Sequence, residues 1–135
     1  MYRARLCMST AEGYGLPIKH QISMLKEIGF DAFFNTWSYG EDIRSYKEEA
    51  DKCGMIYQSI HAPYENSALM WRPYEEAKPV IEELLACLKA CKENDVPIMV
   101  CHTYIGFDDS FPTEDGVENF RIITDAARDM KVQIA

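Results

Sequence analysis

The chain has 135 residues, 47% hydrophobic and 27% charged, and carries a net charge of −8 from 22 acidic and 14 basic side chains. That length allows one domain with a sizeable core, and that charge disfavours duplex nucleic acid, whose binding rests largely on Lys and Arg neutralising phosphates. Five cysteines without a secretory signal argue against a disulfide framework, and no apolar run approaches the roughly 20 residues of a membrane helix, so a cytoplasmic protein is expected.

In chain order, Arg3 to Ser9 reads as a first strand, followed by the loop Thr10–Gly15. Pro17 suits the first turn of a helix whose stripe is Ile18, Ile22, Leu25 and Ile28, closed by Gly29. Phe30 to Asn35 is the second strand, dense in aromatics. A helix from about Glu41 to Cys53 follows, with Ile43, Tyr46, Ala50 and Cys53 on its buried face and Gly54 as its stop.

Met55 to Ile60 reads as a buried third strand and leads straight into His61. The loop Ala62–Arg72 is long enough to carry function. Pro73 and Pro79 suggest a short helical turn before a main helix from Val80 to about Glu93, with Asn94 as its cap. On that helix, Cys87 and Cys91 lie four apart; without further thiols at metal spacing, small apolar packing is the better reading than a shared metal. The fourth strand, Pro97 to Cys101, ends in His102, and a second long loop, Thr103–Pro112, holds Asp108 and Asp109. Thr113 then caps a helix with the stripe Val117, Phe120, Ile123, Ala127 and Met130, and Val132 to Ala135 opens a fifth strand.

Strict strand–helix alternation argues a parallel α/β sheet with right-handed crossovers. Two folds fit: a flavodoxin-like doubly wound sheet, or the first four βα units and fifth strand of a TIM barrel, a (β/α)₈ fold of about 250 residues. In either, ligands bind beyond the carboxyl ends of the strands. Two imidazoles placed there on successive strands, His61 and His102, are the leading functional residues.

The run Gly29-Phe30-Asp31-Ala32, then Ile60-His61-Ala62-Pro63-Tyr64, then Val100-Cys101-His102, in that order on successive strands, resembles the xylose isomerase-like barrel superfamily. Its members include sugar and sugar-phosphate isomerases and epimerases and the endonuclease IV type of DNA repair enzyme. The resemblance implies that residues 1–135 are a single domain, the N-terminal half of such a barrel. It implies an enzyme acting on a sugar or sugar phosphate with a divalent metal (Mn, Zn, Mg or Co) in the full-length protein. In the endonuclease branch the histidines matching His61 and His102 are zinc ligands, whereas in the sugar branch the position of His61 faces substrate and the main metal is held from later strands.

This chain departs from that pattern twice. Relatives often carry a glutamate at the end of the second strand, where Phe34 or Asn35 stands here, and the family's first metal-binding glutamate lies beyond Ala135. The chain alone is therefore expected to be inactive and to hold no metal tightly.

The expected site comprises His61 and His102 as catalytic residues, with Tyr64, Trp71 and Asp108 as substrate contacts; His61 and His102 are metal ligands only in the endonuclease-like case. Tyr64 and Trp71 either stack on a sugar ring or pin their loop. Ser9 to Gly13 faintly resembles a flavodoxin phosphate loop, a reading that leaves both histidines unexplained. The leading expectation is a metal-dependent sugar isomerase or epimerase; the alternatives are an abasic-site endonuclease and a non-catalytic half-barrel for binding or assembly. A half-barrel would leave Tyr57, Phe34, Ile98 and Val100 uncovered on its inner face, so a homo-oligomer is also expected.

Overall fold

Five parallel strands form one sheet in the order β1-β2-β3-β4-β5. They are β1 (Cys7–Ser9), β2 (Ala32–Thr36), β3 (Ile56–His61), β4 (Ile98–Val100) and β5 (Gln133–Ile134). The crossovers are helices α1 (Ile18–Glu27), α2 (Ile43–Cys53), α3 (Tyr74–Glu93) and α4 (Glu114–Met130). These elements come from a computed structural model that describes residues 4–104 and 112–135, apart from the side chain of Glu12.

The sequential strand order overturns the doubly wound alternative. A flavodoxin-like sheet reverses direction after its first crossover, giving the order 2-1-3-4-5 and helices on both faces. Here each crossover advances the same way. With right-handed connections, that stacks every helix on one face, as in the wall of a barrel.

The core lies between sheet and helices. Ile22 of α1, Phe33, Ile60 and Met99 of the strands, Leu88 of α3 and Ile123 of α4 are all essentially inaccessible. Burial of each such side chain contributes about 1.5–3 kcal/mol. Cys87 and Cys91 are fully buried in this layer as free thiols, as expected of small apolar packing. Gln21 is buried too, an exception to the apolar stripe of α1. Its amide takes the Ala11 N–H and donates to the Ala11 and Leu16 carbonyls, latching the loop after β1 onto the helix.

One irregularity in β3 decides where the site points. Phe33 pairs with Tyr57, but the next residue, Phe34, pairs with Ser59, so Gln58 is an extra residue in β3. Such a bulge resets the alternation of side chains. Tyr57 consequently faces the helices: it is buried, stacks on Phe33 at 4.4 Å and donates its hydroxyl to Asn35 Oδ1. The expectation that Tyr57 points to the open face fails for this reason. The same bulge turns His61 away from the helices, in register with Thr36 on one side and Val100 on the other.

Two helices also differ from expectation. Pro79 does not break α3, which runs unbroken from Tyr74. Proline removes one N–H bond, to the Glu75 carbonyl, and that residue is exposed so water can satisfy it. Buried Ala77, Val80 and Ile81 hold the helix to the core on both sides of the proline. In α4, Thr113 does cap the helix, accepting from the Gly116 N–H at 3.0 Å. Val117, however, is 49% exposed, and the inward positions of the first turns go to Gly116 and Asn119. At the end of α3, Asn94 donates its amide to the Ala90 carbonyl at 2.8 Å, while Asp95 takes the left-handed turn at φ 54°.

On the face away from the helices, Phe34, Ile98 and Val100 are half-buried and Ile56 is 40% exposed. The sheet also ends in two edges, β1 and β5.

Candidate functional site

The end of β3 is held from both sides. The His61 carbonyl accepts from the Trp37 N–H at 2.9 Å, and the Ala62 N–H donates to the Val100 carbonyl at 2.9 Å. His61 is thus anchored by the backbones of both neighbouring strands. Its ring Nδ1 lies 2.8 Å from the Ala62 carbonyl, which only accepts, so Nδ1 carries a proton. In the neutral ring, Nε2 is then left with its lone pair.

That Nε2 faces His102 Nε2 at 3.1 Å. With His61 as acceptor, His102 donates its Nε2–H in the neutral pair. Tyr64 closes the group: its ring centre lies 5.4 Å from that of His61, edge-on, and 5.3 Å from that of His102. The two imidazole centres are 5.0 Å apart. His61, Tyr64 and His102 form one cluster at the carboxyl ends of β3 and β4, where parallel sheets place their chemistry.

Trp71 is brought near this cluster but does not join it. It ends a 3₁₀ helix, Ser67–Trp71, in the loop after β3. Its indole N–H donates to the Thr103 carbonyl at 2.7 Å, next to His102. Its ring lies against Gly116 and has its centre 5.1 Å from that of Phe120. Its own carbonyl accepts from Thr113 Oγ1 at 2.6 Å, and Asn119 donates to the carbonyls of Met70 and Arg72 at 3.0 and 2.9 Å. These contacts tie the loop after β3 to the loop after β4 and to the start of α4, and so fix the segment that carries His102. Asp108 lies outside the described residues.

The donor set suits a metal only in part. Two nitrogens on one tetrahedral zinc lie about 3.3 Å apart, so the 3.1 Å separation fits a shared ion as well as a hydrogen bond. A ligating histidine also usually donates its other ring N–H to a carbonyl or carboxylate, as His61 does to Ala62. Among the described residues, though, no group of three His, Cys, Asp or Glu could hold a metal ion.

Sequence reasoning missed the cleft beside the histidines. It has a volume of about 380 Å³ and lies beyond the ends of β1 and β2. Thr36, the register neighbour of His61, is part of its wall, as are Asn35, Trp37 and Glu41. The signal was available in Asn35-Thr36-Trp37-Ser38, a polar break after the second strand's apolar run. The strand-end rule that singled out the histidines applies there equally.

No family model and no curated protein sequence matches the chain. Solved structures do. The chain is similar to an AP endonuclease of family 2 from Brucella melitensis, with a TM-score of 0.75 and 16% identity over 96% of this chain and 53% of the other. It is similar to a D-psicose 3-epimerase from Clostridium cellulolyticum, with a TM-score of 0.72 and 18% identity over 97% and 51%. It is likewise similar to a 3-keto-D-glucoside 4-epimerase from E. coli, with a TM-score of 0.76 and 15% identity over 98% and 55%. Identities this low establish the fold alone: this chain has the βα architecture of half a TIM barrel and spans about half the length of these proteins. No helix among the described residues is long and apolar enough to cross a membrane.

Proposed function

We propose that this chain is the N-terminal half of a metal-dependent isomerase or epimerase acting on a sugar or sugar phosphate, and that His61 and His102 engage its substrate. The observation that carries the reading is the Nε2-to-Nε2 contact of 3.1 Å at the ends of adjacent parallel strands, with Tyr64 against both rings. The epimerases among the similar structures support the sugar class.

The pair holds one Nε2 proton between two nitrogens, the third ring position being engaged by Ala62. A substrate hydroxyl entering between the rings can donate to His61 Nε2 and accept from His102 Nε2–H, which fixes its position and its hydrogen. Tyr64 borders both rings and limits the approach of water from the side of the loop after β3. A divalent metal, when bound, would polarise the sugar's carbonyl or hydroxyl oxygen. Its ligands in this reading come mainly from outside the described residues. The free thiols support a reducing, cytoplasmic setting.

The test is solvent exchange. The natural protein carrying this chain, supplied with Mn²⁺, Mg²⁺, Co²⁺ or Zn²⁺, is incubated with a panel of ketoses and their phosphates in D₂O. Deuterium entering a sugar C–H, together with a new epimer or isomer, is the expected result. No exchange on any sugar, with incision of an abasic-site duplex instead, would favour the endonuclease reading. That second reading draws on the zinc-like spacing of the two nitrogens and is opposed by the net charge of −8.

A further inference from the structure

We infer that the cleft beyond β1 and β2 is a subsite for a neutral, polyhydroxylated ligand, and that it rejects phosphate. The inference deepens the proposed function, on which it rests for the link to His61, by choosing between a sugar and a sugar phosphate at this end of the site.

The hydrogen-bonding character of the walls carries it. Ser9 Oγ donates to the Thr10 carbonyl at 2.9 Å, and Thr10 Oγ1 donates to the Phe34 carbonyl at 3.3 Å. Ser38 Oγ lies 3.4 Å from Glu41 Oε1 as donor. Each of these three hydroxyls has therefore committed its hydrogen to the protein and has lone pairs left to offer. Asn35 is largely engaged: one amide N–H donates to the Thr36 carbonyl at 2.8 Å and its oxygen takes the Tyr57 hydroxyl. Glu41 adds a carboxylate, held by the Tyr46 hydroxyl at 2.7 Å.

The described lining residues thus offer many acceptors beside two donors, the Thr36 hydroxyl and the Trp37 indole N–H, and none of them is Lys or Arg. A phosphate or carboxylate brings only acceptors and negative charge and finds nothing here to neutralise it. A polyol brings O–H donors, which this wall can accept. Ile18 and the mostly buried Trp37 add apolar wall for the C–H face of a sugar, and about 380 Å³ falls within the usual range for small-ligand sites. Thr36 joins the cleft to the histidines through its register pairing with His61, so one ligand can reach both.

The experiment is an NMR titration of the isotope-labelled natural protein carrying this chain with D-fructose and, separately, D-fructose 6-phosphate and ethylammonium. D-fructose is expected to shift amides at residues 9–11 and 35–38, with the phosphate binding more weakly. Glu41→Gln, which keeps the shape, should weaken D-fructose about tenfold; Ser9→Ala is a second, smaller perturbation in case Glu41→Gln unfolds. Tighter binding of the phosphate, or ethylammonium shifting the cleft where D-fructose does not, overturns the inference. Shifts confined to His61, Tyr64 and His102 overturn it while sparing the proposed function. Shifts in the cleft alone uphold it and count against the histidine site. No shifts anywhere would remove both.

Discussion

Gly116 lies directly beneath the indole of Trp71: a Cβ built at position 116 would come within 2.0 Å of Trp71 Cε3. Glycine in a helix ordinarily costs about 1 kcal/mol relative to alanine. Here it makes room for the ring that links the two long loops. Gly116→Ala should therefore destabilise the fold by about 1–3 kcal/mol despite the gain in helix propensity. A denaturant melt measures it, and an unchanged or raised midpoint would show that the ring relocates freely.

Trp71→Phe separates the ring from its N–H. The contacts to Gly116 and Phe120 persist in part, but the bond to the Thr103 carbonyl is lost. The expected cost is about 1 kcal/mol. Imidazole ¹⁵N spectra should also show His102 losing its fixed relation to His61, while His61, held by Ala62, keeps its Nδ1 proton.

Alkaline pH should destabilise the protein. Burial pushes the Cys101 thiol up from 9.0 to about 11, the neighbouring Cys91 thiol and burial push Cys87 up further, and burial raises the Tyr57 phenol. Each folded-state value lies above its unfolded one, so the folded chain holds more protons between them. The corresponding stability is intact below pH 9 and falls as pH rises through about 11. For Cys101 alone the loss is of order 1–3 kcal/mol. Urea midpoints at pH 8 and pH 10.5 test the sign.

The isolated chain should self-associate. Parallel sheets are normally covered on both faces, yet Phe34, Ile56, Ile98 and Val100 lie on a face without helices. The edges of β1 and β5 add unpaired backbone groups. Sedimentation at micromolar concentration should give a dimer or larger species. A monomer that unfolds cooperatively would show that the open face is tolerated.

Most of the element order was legible from the sequence, because helix stripes such as Ile18-Ile22-Leu25 and strand runs ending in His61 and His102 follow simple periods. Strand order was not legible from periodicity, since flavodoxin-like and barrel sheets share the same alternation and differ only in the direction of one crossover; the resemblance carried by Ile60-His61-Ala62-Pro63-Tyr64 and His102 pointed to the barrel order that the sheet has. Tyr57 misled because a bulge at Gln58 leaves no mark on composition. Pro79 misled because a local penalty was weighed without the tertiary burial of Ala77 and Val80. Asn119 is a polar residue whose burial depends on carbonyls supplied by a distant loop, so nothing near it in sequence announces it, whereas buried Gln21 is held by the loop just before its own helix.

The most direct test of the central claim is turnover of the natural protein with His61→Ala, compared with its thermal midpoint. An imidazole that positions a substrate hydroxyl should, when removed, lower kcat/KM on the true sugar by at least about a hundredfold. The thermal midpoint should move by only a few degrees, since His61 stands at the open end of the sheet rather than in its core. Normal turnover, or a protein that simply unfolds, would contradict the assignment of His61 and His102 as the substrate-engaging pair.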